Sequence, residues 1–152
     1  MRLRVLRRSD FLLLRRWRNE PSVRQWSGNT RPVGLLEHVR WSARTMRSDD
    51  HVVLIGEEDD GQRVGTVQYR SLGENAWVVS VTVAPGMRGH GYGGQLLRQG
   101  EAWLLERHEV RALKAFVHRR NVASQRLFES AGYVHEARDS GDFDLMVRRL
   151  QA

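Results

Sequence analysis

Residues 76–97, AWVVSVTVAPGMRGHGYGGQLL, limit the fold more than any other part of the chain. Val78, Val79, Val81 and Val83 are β-branched and interrupted only by Ser80 and Thr82, which predicts a strand. Pro85-Gly86 ends it, because proline cannot donate to a sheet ladder and the pair forms a turn. Arg88-Gly89-His90-Gly91-Tyr92-Gly93-Gly94 follows, and then Leu96, Leu97, Gly100, Trp103 and Leu104 fall on one face of a helix. A strand, a glycine-rich turn and a helix together form an anion-binding device. The unpaired N–H groups of the turn and first helical turn point at the ligand, and the helix dipole adds about half a positive charge there. Glycines let backbone approach phosphate oxygens without a Cβ in the way, and Arg88 adds a fixed cation. The unit predicts a pyrophosphate site.

With 152 residues, the chain is expected to form one domain spanning 1–152. Hydrophobic content of 40% and charged content of 28% are those of an ordinary globular protein. No apolar run approaches the roughly 18–20 residues of a membrane span, and MRLRVLRRSD has no signal-peptide core, so a cytoplasmic protein without a membrane partner is expected. The absence of cysteine excludes a disulfide framework, a thiolate metal site and a cysteine nucleophile, and no metal is expected. The net charge of +7 is carried almost wholly by arginine, Lys114 being the only lysine. These charges are scattered and form no block, which disfavours nucleic acid as a partner and favours a small anionic ligand.

Elsewhere the pattern is coarser. Residues 2–6 alternate like a first strand, and Ser9 or Asp10 is placed to cap a helix through Phe11, Leu14 and Trp17 that Pro21 closes. Residues 20–34 carry Pro21, Gly28, Asn29, Pro32 and Gly34 and are expected to be loop. A second helix carries Leu35, Leu36, Val39, Trp41, Ala43 and Met46. Residues 52–55 and 64–72 read as a hairpin around an acidic turn, and residues 73–75 turn the chain into the central strand. Further on, residues 112–117 predict a strand and residues 121–131 a helix with Ala123, Leu127 and Phe128 inward. Gly132 sits at the C-terminal glycine position, and residues 133–137 and 143–147 predict the last two strands. The order gives an α+β, or mixed α/β, domain.

Gly89, Gly91 and Gly94 satisfy the dinucleotide pattern G-x-G-x-x-G, but a Rossmann unit places it after its first strand with an acidic residue about 20 positions on. Here three strands precede it, and Glu109 falls before its strand instead of after it. No Gly-Lys-Ser/Thr follows, so the turn is not a P-loop either. Val-x-Pro-x-x-Arg-Gly-x-Gly-x-Gly, running from strand to helix, resembles the acyl-CoA site of the GNAT superfamily of N-acetyltransferases. A downstream element, Asn121-Val-Ala-Ser124-Gln-Arg-Leu-Phe128-Glu-Ser-Ala-Gly132-Tyr133, is similar to the family's second CoA segment. The resemblance spans nearly the whole chain. It implies a mixed, mostly antiparallel sheet of six to seven strands flanked by about four helices, with acetyl-CoA as co-substrate. By position it implies CoA contacts from Arg88, Gly89, His90, Gly91, Tyr92, Gly93 and Gly94, and from Asn121, Ser124 and Phe128. It also gives Val81, Thr82 and Val83 the role of the splayed strand, whose backbone holds the acetyl and pantetheine portions. One N–H aimed at the developing oxyanion is worth about 3–4 kcal/mol in comparable sites.

Many relatives place a tyrosine four residues after the second-element serine, to protonate the departing thiolate. Phe128 stands there; Tyr133, five residues on, is a candidate acid, and Tyr92 in the glycine turn a weaker one. A thiol of pKa about 8.5 is a fair leaving group unaided. His38, beside Glu37 at the start of the second helix, is a candidate base, as is His118 at the end of its strand, and Ser80 and Thr82, on one face of the central strand, can bind the acceptor or a water.

Trp17-Arg18-Asn19-Glu20-Pro21, with a later His38-x-x-Trp41, is similar to a subgroup that includes acetyltransferases of nucleotide-linked amino sugars and of ribosomal-protein N-termini. The resemblance implies Asn19, Glu20 and Trp41 as acceptor contacts, and Trp26, a tryptophan in a polar loop, is a further candidate. The tryptophans are suited to stacking, and Arg18, Arg24, Arg31 and Arg40 to phosphate. The leading expectation is N-acetylation of a primary amine on a small molecule, by direct attack on the thioester, with a nucleotide-linked amino sugar as the candidate acceptor. The alternatives are a ribosomal-type N-terminal acetyltransferase and a non-catalytic acyl-CoA-binding protein. A monomer or homodimer is expected.

Overall fold

The computed structural model describes residues 1–138 and 141–150. Asp139 and Ser140, in the turn expected between the last two strands, lie outside the described residues. Seven strands form one sheet: β1 (Arg2–Val5), β2 (His51–Glu57), β3 (Arg63–Gly73), β4 (Ala76–Val83), β5 (Ala112–His118), β6 (Val134–Arg138) and β7 (Phe143–Arg149). Their order is β1-β2-β3-β4-β5-β7-β6, and every neighbouring pair is antiparallel except β4–β5. The helices are α1 (Phe11–Asn19), α2 (Pro21–Arg24), α3 (Leu35–Met46), α4 (Tyr92–Arg107) and α5 (Val122–Ser130). No helix among the described residues is long and apolar enough to cross a membrane.

The alternation of β4 divides the core in two, because successive side chains leave a strand on opposite faces. Val79 is buried, with Val81 and Val83 packed beside it, against Leu96, Leu97 and Leu104 of α4. α4 is therefore the crossover of the β4–β5 parallel unit. Gly100 lets it sit closely, since a Cβ there would meet Val67 Cγ1 at 2.9 Å and Tyr69 Oη at 2.6 Å. On the other face, Phe11, Leu14 and Trp17 of α1 bury with Val53 and Ile55 of β2, and Val39 and Trp41 of α3 pack against them. The β3–β4 hairpin closes on Glu74 and Asn75, both at positive φ (54° and 61°), as a tight primed turn.

Four expectations need correction. Pro21 does not simply end α1; it occupies the first turn of the short helix α2, its missing N–H being one that a helix start leaves unpaired anyway. Asp10 gives α1 no side-chain cap. Its carboxylate is buried, taking two bonds from Arg4 (2.8 and 2.9 Å), one from the Arg7 N–H (2.8 Å) and one from Arg63 (3.2 Å). Burial alone would raise Asp10, but the bonds from Arg4, Arg7 and Arg63 hold it below the usual carboxylate range. On α3 the inward residues are His38, Ser42 and Thr45, whereas Leu35, Leu36 and Met46 are exposed. Ala123 is exposed too, because α5 buries Phe128 and leaves its first turn open.

Candidate functional site

The site is organised around the place where β4 and β5 part. Their parallel pairing covers Ala76↔Ala112, Trp77↔Leu113 and Val78↔Lys114 and then stops, while β3 stays paired to β4 as far as Val83. Ala84 donates its N–H to Val64 O of β3 at 2.8 Å. Ladder alternation then turns the backbone of Thr82 towards β3 and that of Val81 and Val83 towards the gap. Thr82 therefore reaches the site by its side chain, not by its backbone, which corrects part of the expected trio.

At the end of β4 the chain makes a 3-10 turn (Pro85–Met87), and Gly91 caps α4 with φ 79° and ψ 9°. This left-handed conformation disfavours any residue with a Cβ. Open space surrounds the Cβ positions of Gly89 and Gly91, with nothing within 4 Å. Gly93 does different work: its Cβ would meet Leu127 at 3.0 Å, so it allows α4 and α5 to approach. Arg88 is exposed at the turn. His90 is exposed and folds back, its Nδ1 2.9 Å from Arg88 O.

These elements share a cavity of about 1050 Å³ with parts of α1, α3, β3, β5 and α5. Val81, Thr82, Val83, Arg88, Gly89, Gly91, Tyr92, Gly93, Asn121, Ser124 and Phe128 all line it. Asn121 caps α5, its side-chain oxygen accepting from the Ser124 N–H at 3.2 Å. Among the other predicted residues, His38, Ser80, Trp26 and Trp41 also line the cavity. Trp26 meets His118 edge-on at 5.1 Å, and His118 meets Phe143 at 5.3 Å. Trp41 stands between His38 and His51, 5.5 Å from each.

His38 is 5% exposed, with Nδ1 3.4 Å from Ser42 Oγ. Burial, followed by the charges of Arg15 and Arg18, pushes its imidazole below the ordinary 6.5, so it is neutral near pH 7. A neutral imidazole in a cavity can accept a proton.

Arg24, Arg31 and Arg40, suited by sequence to phosphate, are not among the lining, and neither are five of the predicted catalytic, cofactor and acceptor residues. Asn19 uses both ends of its amide on Val33, donating to its carbonyl (2.9 Å) and accepting from its N–H (2.6 Å), and so ties the residue 27–34 loop to α1. Glu20 holds the junction of α1 and α2 through its backbone. Tyr133 is 3% exposed, edge-on to Phe128 at 5.0 Å, and burial raises its phenol well above the usual range. His90, in the turn, and Gly94, in the first turn of α4, are not among the lining residues. Thr66 and Gln68 of β3, Phe116 of β5, Phe143 of β7 and Arg44 of α3 also line it and were missed. Their signal was present: Thr66, Gln68, Ser80 and Thr82 are polar at alternate positions of paired strands, a polar strip on a sheet face that helices otherwise cover. Among the described residues, no group of three or more histidines and carboxylates is placed to hold a metal ion.

Among curated proteins no sequence matches this chain. Solved structures match over nearly its whole length. A ribosomal-protein-alanine N-acetyltransferase from Brucella melitensis is 25% identical, with a TM-score of 0.82 and coverage of 99% of this chain and 100% of that one. A spermidine N-acetyltransferase from Vibrio cholerae, in complex with CoA and spermine, is 15% identical, with a TM-score of 0.85 and coverage of 96% and 92%. An aminoglycoside acetyltransferase in complex with coenzyme A is 18% identical, with a TM-score of 0.82 and coverage of 97% and 93%. The family model described as the acetyltransferase (GNAT) family matches residues 12–133. The splayed strand pair, the glycine turn and this match agree, and the chain belongs to the GNAT family of acyl-CoA-dependent N-acetyltransferases.

Proposed function

We propose that this enzyme acetylates the primary amine of a small acceptor carrying an acid group, with a nucleotide-linked amino sugar as the best candidate. The observation that carries the reading is the lining of the one cavity that joins the β4–β5 gap to His38. Apart from Arg88 at the donor turn, Arg18 and Arg44 line it with a single carboxylate, Glu37, beside Trp26 and Trp41. A polyamine or aminoglycoside would bring several positive charges to a wall that already has a surplus of them. A sugar phosphate would bring the opposite sign and a ring for the tryptophans.

The donor side fits acetyl-CoA. The open Cβ positions at Gly89 and Gly91 and the exposed Arg88 suit a pyrophosphate at the amino end of α4. When bound, acetyl-CoA supplies an activated acetyl thioester. The N–H groups of Val81 and Val83 are available to donate to the acyl carbonyl, and Asn121 and Ser124 line the opposite wall. His38, neutral and buried, takes a proton from the acceptor ammonium, directly or through a water held by Ser80. Phe128 offers no proton to the departing thiolate, whose modest basicity lets it leave unaided.

A second reading, a ribosomal-type N-terminal acetyltransferase, draws on the Brucella melitensis likeness at 25% identity over the full chain. Following free thiol released from acetyl-CoA with UDP-linked amino sugars, N-terminal peptides of ribosomal proteins, spermidine and kanamycin separates the readings. Turnover confined to the peptides would replace the first by the second, and preference for spermidine or kanamycin would sink both.

A further inference from the structure

The cavity wall holds an unusual arginine. Arg18 lies at the end of α1 and lines the cavity, and its Nη1 is buried without a hydrogen-bond partner. Its Nη2 donates to Asn29 O at 2.6 Å, a neutral acceptor. Close by, Arg24 of α2 has its Nε buried and unpartnered, and its Nη1 reaches Thr30 O at 3.4 Å. Neither guanidinium joins an ion pair among the described residues.

Arg4 shows how this chain treats a guanidinium that burial does not leave idle: it is braced by Asp10 and Glu57 at 2.8 Å. By contrast, burial and the neighbouring charge of Arg24 both act against the charged form of Arg18, and Glu37 opposes them only at a distance. Two like charges held together and partly desolvated without a counter-ion are destabilising. Such an arrangement fits a site kept for an anion that arrives from outside. Arg18 and His38 line the same cavity from the packed helices α1 and α3.

We propose that Arg18, with Arg24 supporting its field, is the subsite that binds a phosphate or carboxylate of the acceptor and so directs its amine towards His38. The inference rests on reading this half of the cavity as the acceptor chamber. It assigns recognition to the α1–α2 junction and its following loop, and it makes the acid group a requirement for productive binding. Arg18 Nη1 has no solvent access as placed, so binding turns it towards the cavity while Nη2 keeps its bond to Asn29.

The test is calorimetry on the full chain saturated with CoA, with UDP, inorganic phosphate, free glutamate and spermine as probes. UDP or phosphate binding that weakens about 10- to 100-fold in Arg18→Gln, and less in Arg18→Lys, supports the subsite with phosphate as its ligand. The same loss for glutamate alone supports it with carboxylate as the ligand, and then overturns the nucleotide reading while leaving the subsite standing. CoA affinity and the thermal midpoint are measured in parallel; in Arg18→Gln the first is expected to hold and the second to hold or rise, since an unpaired charge is removed. Unchanged anion binding in both variants overturns the proposal even if a UDP-linked amino sugar is turned over. So does tighter binding of spermine than of any anion, or a loss of CoA affinity that matches the loss of anion affinity.

Discussion

Gly91 gives the sharpest test of the donor site, because the structure supplies its own control. Gly91 has φ 79° and no heavy atom within 4 Å of a Cβ built on it. Gly73, in the turn before β4, has φ 84° and equally open surroundings. Alanine at either position clashes with nothing and differs from glycine only in a strained backbone, which costs about 1–2 kcal/mol. At this chain length, that lowers the melting temperature by about 2–8 °C, to a similar extent in both variants. Only Gly91→Ala also puts a methyl group between the α4 N–H groups and an incoming phosphate. Losing one charge-assisted bond of about 1.5–3 kcal/mol weakens CoA binding by about 10- to 150-fold. Differential scanning calorimetry reads the first quantity and titration with CoA the second. Matched melting losses with unchanged CoA affinity in Gly91→Ala would show that the turn does not hold the pyrophosphate.

Four further outcomes are expected. Asn121→Asp keeps an acceptor for the Ser124 N–H and so keeps the α5 cap, but loses the side-chain N–H donors; CoA affinity falls several-fold at an unchanged melting temperature, whereas Asn121→Ala lowers both. Removing a partner from the buried ion network, as in Asp10→Ala, costs about 3–5 kcal/mol by chemical denaturation, since Arg4 and Arg63 lose their shared carboxylate. Tyr69 buries a hydroxyl that has no partner among the described residues, so Tyr69→Phe is neutral or stabilising, and it partly relieves the clash expected in Gly100→Ala, as melting of the single and double variants reads. His38 and His51 both have folded-state pKa values below 6.5, so the unfolded chain binds protons first. Their share of stability is therefore full above pH 6.5 and falls as pH drops below it. In His38→Gln that slope shrinks and kcat falls about 10²- to 10⁴-fold, with the acid limb of the wild-type kcat/KM lying below pH 6.5.

Much of this was legible in the residue order. The β-branched run of β4, the prolines and glycines after it and the period of α4 define the donor side by local rules alone. What local rules could not supply were facts settled across the sheet. Asp10 looks like a cap until Arg4 and Arg63, remote in sequence, reach it. Tyr133 carries the right hydroxyl for an acid, but the packing of Phe128 turns it into core. Asn19 has the right chemistry for a sugar, yet a loop 14 residues away takes both its hydrogen-bonding groups. The acceptor wall was the least legible part, because Gln68, Phe116 and Phe143 come from three strands that only the tertiary fold brings around one cavity.

The parting of β4 and β5 has a mechanical consequence. Three residue pairs join a four-stranded panel, β1 to β4, to a three-stranded panel, β5 to β6, and beyond Val78 the seam is unstitched. A ligand lying in the seam presents polar atoms to both panels and completes a ladder the protein leaves unfinished. Binding the donor should then stiffen the molecule across its whole width, and slow amide exchange at Val81 and Val83 as well as along β5. The co-substrate would act during its stay as an eighth strand.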